Sequence, residues 1–435
     1  MSSTPAFAGA QDPPPSVGDT LRLTLPAARS ATLKANPSLA AARLDTTVAR
    51  GELRQASLFF ATNPSVDVLG ARSGNGLEAG ISQVIEVFGQ QRSRAAAAHA
   101  GLARATASVA DATRLTLGDV DRAFYQLYSA NRRSRLADEV FGLTQRVADV
   151  ARRQLSAGEI SRLDYNLARV ELGRTQARAL SARRERDQAT LELRRLLGIL
   201  TAIPIEPVLD SIDHVAPGDS ADAGPEAAAQ TAALHSAAVA AATRLDVDSL
   251  VALALARRPD LAAREAAVRQ SEAQATTAGR EALPNLVVRG VTEPRDQGEG
   301  RVFRPGVGLT LPLFNRNRGR VQALRATARQ AGLDRQARAQ TIRAQVASAV
   351  AAYQAAATEV QVLESTVLTP ARQNRRLVEV AYREGKVGLP ELLLIRNQAI
   401  DAELDYWTAW LAERQAVYSL AEATGTNLTM DRAQQ

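Results

Sequence analysis

Two spacings of apolar residues divide this chain. Apolar positions three or four apart, as one face of a helix requires, run from Leu25 to Ala61, Gln90 to Ser156, Asp248 to Leu283 and Arg316 to Glu384. A further helix follows each of the two longest runs. Apolar and polar residues alternate instead over Ser65 to Arg72 and Leu77 to Phe88, and again over Asn285 to Thr292 and Val302 to Leu313, as in strands. Ser73-Gly74-Asn75-Gly76 reads as a tight hairpin turn, and Glu293 to Arg301 as a longer charged loop. Pro64 and Pro284 end the helices ahead of each strand pair, because the residue before a proline is pushed towards extended backbone. Pro312 has to sit at a strand end or edge.

The pattern occurs twice. Ala35-Asn36-Pro37-Ser38-Leu39-Ala40-Ala41 matches Arg257-Arg258-Pro259-Asp260-Leu261-Ala262-Ala263 at an offset of 222 residues. Val87-Phe88-Gly89 matches Leu313-Phe314-Asn315 at 226, and Ala157-Gly158-Glu159 matches Glu384-Gly385-Lys386 at 227. Leu197-Gly198 then matches Thr424-Gly425, so 40 residues separate the turn glycine from the terminal glycine in both halves. The drifting offset marks a duplication with small loop insertions. The organisation expected is a flexible segment at 1–20, a first repeat at 21–199, a linker at 200–247, a second repeat at 248–425 and a tail at 426–435. The linker, rich in Pro, Asp, Ala and Ser, is expected to pack outside the repeats and to be partly helical over Ala227 to Ala242.

A helix of 67 residues, Gln90 to Ser156, spans about 100 Å. Leu117, Val120, Phe124 and Leu127, and later Val346, Tyr353, Val360, Leu363 and Val367, follow coiled-coil spacings. Pro370 is expected to kink the second long helix. Two short helices stacked end to end equal one long helix, which predicts a wall of uniform height with the strand pairs projecting from one end. The fold class expected is mainly α with a small β part.

Composition sharpens this. Aromatic residues are only 4% of the chain, which suits thin helical walls better than a thick core. The net charge of +7 comes from arginines mixed with acids, as in Arg183-Arg184-Glu185-Arg186-Asp187, the signature of a solvated helix face. There is no cysteine, hence no disulfide or thiolate chemistry. No run of 18 apolar residues exists, so any passage through a membrane has to use strands. Ala6-Phe7-Ala8 resembles the small-residue end of a cleaved export signal whose charged and apolar parts are missing, as in a mature form with an added Met1. His99, His214 and His235 lie far apart without partners at ligand spacing, and no phosphate loop or nucleophile motif occurs. No catalytic residue, cofactor or metal site is expected, and no enzyme.

Crossing a bilayer takes a strand of about 9–11 residues, a length the two longer strands reach. Four strands cannot close a barrel, and an open edge is forbidden in hydrocarbon. Other copies of the chain must complete the sheet.

The duplicated plan resembles the TolC-type outer-membrane efflux factors over nearly the whole of Leu21 to Gly425. The resemblance rests on the turn glycines Gly158 and Gly385 and on the runs Phe88-Gly89-Gln90-Gln91-Arg92 and Leu311-Pro312-Leu313-Phe314-Asn315-Arg316-Asn317-Arg318-Gly319. The latter run is similar to the branch that serves heavy-metal cation exporters of the resistance–nodulation–division class. The resemblance implies a homotrimer whose twelve strands form one outer-membrane β-barrel above a long periplasmic α-helical barrel. It also implies a periplasmic adaptor that contacts the hairpin turns at Gly158 and Gly385, an inner-membrane pump as the source of energy, and a passive role for this chain.

The family's gate positions, carried over residue by residue, fall on Asp164 and Glu391, each six residues after its turn glycine, on Tyr382 and on Lys386. Asp164 would pair with Lys386 of a neighbouring copy, and three Glu391 side chains would crowd the axis as a cation-selective ring. Leu394 stands where the family places a second acidic residue, so no double ring is expected. A purely structural role stands beside each: first-turn carboxylates for Asp164 and Glu391, interhelix packing for Tyr382, and a solvated charge for Lys386. The rival class of function is a soluble coiled-coil scaffold or a basic nucleic-acid-binding helical protein. It accounts for the arginines and heptads but not for two strand pairs placed identically in a duplicated chain.

Overall fold

The computed structural model describes residues 20–70, 77–199, 203–209, 245–294, 300–312 and 314–426. The first half comprises β1 (Leu21–Leu23), α1 (Leu25–Ala35), α2 (Pro37–Ala56), β2 (Ser65–Gly70), β3 (Leu77–Ile85), α3 (Gln90–Ser156) and α4 (Arg162–Leu197). After β4 (Ile205–Pro207), the second half repeats the order with α5 (Val247–Arg257), α6 (Pro259–Arg280), β5 (Asn285–Pro294), β6 (Arg301–Thr310) and α7 (Arg318–Val362). A π-helical stretch, Leu363–Leu368, leads into α8 (Thr369–Arg383) and then α9 (Leu389–Thr424). The tight turn expected at residues 73–76, the helix expected at 227–242 and most of the two terminal segments lie outside the described residues.

Several boundaries differ from the sequence expectations, each for a local reason. The helices expected to run unbroken from Leu25 and Asp248 are each interrupted once, at Asn36 (ψ 118°) and Arg258 (ψ 123°). Both residues precede a proline, whose ring excludes the helical conformation before it. Asn36 uses the break, since its side chain accepts from the Leu39 amide at 3.1 Å and donates to the Leu196 carbonyl at 3.0 Å. The first of these helices ends at Ala56 rather than Ala61. β3 stops at Ile85 rather than Phe88, because the Phe88 amide donates to the Gln90 side chain at 2.9 Å and Gly89 turns left-handed at φ 75°. β6 stops at Thr310, two residues before Pro312, which lacks an amide donor. α7 starts at Arg318, after Asn317 at φ 52°. Around Pro370 the chain widens: the Thr369 amide reaches back five residues to the Glu364 carbonyl, so the π-helical stretch absorbs the missing hydrogen bond.

α3 is the spine. It packs against α4 along one part of its length and against α2 and α6 along the other, while α7 lies on α6 and α9. Midway, a core gathers Phe124, Tyr125, Tyr128, Tyr406 and both tryptophans, Trp407 and Trp410, with β1 and β4 paired in parallel beside it. Tyr128 and Trp410 lie 5.4 Å apart between ring centroids, and Trp407 and Trp410 meet edge to face at 5.5 Å. A chain poor in aromatics concentrates both its tryptophans at the level where the short helices change over. A second cluster, with Ile342, Val346 and Val350, joins α5 and α6 to α7. A third, with Ala151, Ala168, Val378, Leu389 and Leu392, binds the two hairpin ends together.

β2, β3, β5 and β6 form one antiparallel sheet in that order, and the β3–β5 pairing welds the two halves. β2 and β6 each have one side unpaired within the described chain.

Candidate functional site

Strand register sorts the sheet into a predominantly apolar face and a mixed face that carries most of its charges. Val66 pairs with Ile81, which pairs with Gly290, which pairs with Pro305; the next row on that face is Val68, Ala79, Thr292 and Phe303. Further along it lie Val288 with Val307 and Ile85 with Leu286 and Leu309. Val66, Val68, Ile81, Phe303, Val307 and Leu309 are all exposed. The other face carries the charges Asp67, Glu78, Arg289, Glu293 and Arg304 among Leu69, Val84, Val287, Val291 and Val302, with Arg304 paired to Glu293 at 2.5 Å. In water, a face of exposed Val, Ile, Leu and Phe on a four-stranded sheet is a liability. Against lipid tails, with the charge-bearing face turned to a water-filled lumen, such an apolar face suits a membrane barrel. Gly290 belongs to this packing: a Cβ there would lie 2.8 Å from the Phe303 ring, which covers the glycine.

At the far end of the wall, both hairpins turn the same way. Gly158 and Gly385 adopt φ 75° and 70°, which costs glycine little and other residues far more. Each ends its helix in a Schellman motif: Glu159 donates to Gln154 O at 2.9 Å and Lys386 to Ala381 O at 2.9 Å. Both turn glycines are exposed with open space around them, so the tips are free to meet another protein.

The candidate gate residues diverge beyond the turns. Asp164 closes a capping box: its carboxylate accepts from the Ser161 hydroxyl at 2.7 Å, while its amide donates to that hydroxyl oxygen at 3.1 Å. Glu391 holds the equivalent place in α9, but the N-cap is Gly388, which has no side chain with which to answer it. Among the described residues Glu391 makes no hydrogen bond or ion pair, and it is exposed. Lys386 pairs with Glu384 at 2.6 Å. Tyr382 packs part-buried on the cluster that joins the hairpins. Within one chain, then, Asp164 and Lys386 are each engaged locally, and Leu394 is exposed.

One tip residue escaped the sequence reading. Arg396 stands in the apolar seam of α9 between Leu393 and Ile400, only 7% exposed, and its Nη2 is buried without a hydrogen-bond partner among the described residues. Burial, with Arg375 and Arg146 nearby, lowers its pKa from the usual arginine value against the opposing pull of Glu379 and Glu171. The signal was present in the sequence, since a charge on a heptad seam is a departure from pattern. Among the described residues no group of His, Cys, Asp or Glu could hold a metal ion, and no helix is long and apolar enough to cross a membrane.

An open sheet with a lipid-compatible face, carried on a long helical wall, defines a membrane channel subunit. Known proteins agree. Residues 28–199 and 250–426 match the family described as Outer membrane efflux protein, and the chain belongs to that family. The cobalt-zinc-cadmium resistance protein CzcC of Cupriavidus metallidurans is 25% identical over 391 residues, covering 88% of this chain and 85% of that relative. Among solved structures, CusC superposes with a TM-score of 0.72 at 18% identity, over 94% of each chain. The open-state MtrE outer membrane channel of Neisseria gonorrhoeae gives 0.70 at 22% identity, over 93% of this chain and 89% of that one. This protein is an outer-membrane efflux channel with a large periplasmic helical part.

Proposed function

We propose that three copies of the chain assemble into a twelve-stranded barrel that passes heavy-metal cations outward, supplied by a periplasmic adaptor and a resistance–nodulation–division pump. The observation that carries this reading is the sheet with two unpaired edges and one exposed apolar face, which is stable in a membrane only when other copies close it. The metal cargo is supported by the similarity to the cobalt-zinc-cadmium resistance protein over 88% of the chain. The chain acts as a passive conduit, and its specificity comes from the pump that feeds it.

The hairpin tips serve as the gate and as the adaptor's contact. Support comes from the exposed turns at Gly158 and Gly385 and from the free Glu391 carboxylate, three of which around an axis would favour cations. Asp164 already accepts from Ser161 through one carboxylate oxygen and Lys386 already pairs with Glu384, so a pair between neighbours would compete with or add to these local contacts. One exposed pair contributes about 0–1 kcal/mol, so the closed tip depends chiefly on packing through Tyr382 and its cluster.

Deleting the gene and measuring sensitivity to cobalt, zinc, cadmium, nickel, copper and a panel of drugs tests the cargo. Sensitisation to one or more metals is expected. Sensitisation to drugs alone would replace the metal reading with an organic one. In planar bilayers, Asp164→Ala combined with Lys386→Ala should raise single-channel conductance, and unchanged conductance removes the pair from the gate.

A further inference from the structure

The apolar face of the sheet does not stop where the strands stop. All four connections between sheet and helices expose large apolar residues: Phe59 and Phe60 before β2, Phe88 after β3, Leu283 before β5, and Leu311 with Phe314 after β6. Phe314 is 99% exposed, and Phe59 stacks edge to face on Phe60 at 4.9 Å. Val87 and Leu311, both exposed, keep the alternation of Ile85 and of Val307 and Leu309, so the lipid-facing side of the sheet runs on past these two strands.

Just beyond it on the helix side stand Arg54, Arg92, Arg316 and Arg318, all exposed and all without a hydrogen bond or ion pair among the described residues. The carboxylates in these four connections, Glu86 and Glu281, are already committed to Arg94 at 2.6 Å and Arg320 at 2.6 Å. Neither long helix has an acidic residue in its first turn, where Arg92 and Arg318 sit against the helix dipole. Arg92 and Arg318 thus do nothing for the helices that carry them, whereas Arg54 sits in the last turn of α2, where the dipole favours a cation.

We propose that this junction is a headgroup-binding collar for the periplasmic leaflet: the aromatic and aliphatic residues sit at the acyl boundary while the four arginines hold the phosphates of anionic phospholipids. The occupant follows from charge complementarity and from continuity with the lipid-facing strands. Apolar anchors alone take any lipid, whereas unpaired cations at headgroup depth select anionic ones. Guanidinium groups suit phosphate oxygens because they present paired donors in one plane.

The test uses the detergent-solubilised assembly and native mass spectrometry, with phosphatidylglycerol and phosphatidylcholine offered at equal concentration. The wild-type assembly should retain phosphatidylglycerol preferentially, and Arg316→Gln with Arg318→Gln should cut that retention about tenfold while leaving the assembly intact. Equal retention of the two lipids by the wild type, or equal phosphatidylglycerol retention by the double variant, would overturn the proposal. So would inorganic phosphate raising thermal stability as much as phosphatidylglycerol does, which marks a free-anion site. Phe314→Ser should weaken retention of both lipids without dissociating the assembly. Dissociation would assign the collar to contacts between copies instead.

Discussion

Ser161 and Gly388 occupy the same N-cap position in the two hairpins and leave their carboxylates in opposite states. Ser161 binds Asp164, whereas Gly388 leaves Glu391 unengaged. Gly388 lies at φ −82°, and a Cβ there would meet only Pro390 Cδ at 3.5 Å, so Gly388→Ser is sterically permitted and creates the Ser-x-x-Glu capping box. It should stabilise the start of α9 by a few tenths of a kcal/mol and draw Glu391 off the axis. The expected readout is a fall in cation selectivity, measured as reversal potential across a salt gradient; unchanged selectivity would exclude Glu391 from the conduit wall. A second residue-scale prediction concerns acid. Burial would raise the pKa of Asp260, but hydrogen bonds and charge from Arg258 and Arg338 hold it at about 2, below the ordinary 3.8. Because the folded value is the lower one, the stabilisation is complete above 3.8 and is lost as pH falls towards 2. It amounts to roughly 2 kcal/mol at most. Thermal melts of Asp260→Asn should show lower stability at neutral pH and a flatter decline between those two values than the wild type shows.

At the scale of elements, most of the architecture was legible because the two periods differ so strongly. The repeat, the strand pairs and both turn glycines could be read directly, and Ser161-x-x-Asp164 spells a capping box. The missed features are those that apolar spacing does not register. A one-residue break at Asn36 or Arg258 barely disturbs the helical period, so only the following proline reveals it. Alternation likewise runs on through Val87 and Leu311 after the ladder has ended, because an extended chain keeps its parity without hydrogen bonds. The π-helical stretch is a backbone response to Pro370 that the sequence pointed to only as a kink. Asn36→Ala should cost about 1–2 kcal/mol, since it removes the cap of α2 and a buried bond to Leu196, and a lowered melting temperature would register it. In the sheet, spin labels placed singly along β6 in lipid should alternate: Phe303, Val307 and Leu309 accessible to oxygen, Arg304, Gly306 and Gly308 to a water-soluble relaxer. Uniform water accessibility would contradict the lipid face.

For the molecule as a whole, the distribution of the core explains how a thin wall stays rigid. The aromatic cluster fixes the middle, the cluster at Leu392 holds the two hairpins together, and the sheet is left to be completed from outside. The proposed gate falls at a tip joined by a small apolar cluster, beside the buried Arg396 whose Nη2 has no hydrogen-bond partner among the described residues, where opening would lose little burial. The chain contains no cysteine, so every engineered crosslink can be assigned without ambiguity. The most direct test introduces one cysteine into β2 and one into β6, scanned along both strands, and oxidises the protein in membranes. Matched pairs should join the β2 edge of one copy to the β6 edge of the next and yield a covalent species of three chains and none larger. Absence of any intermolecular crosslink at every register, or an open ladder of ever larger products, would contradict it.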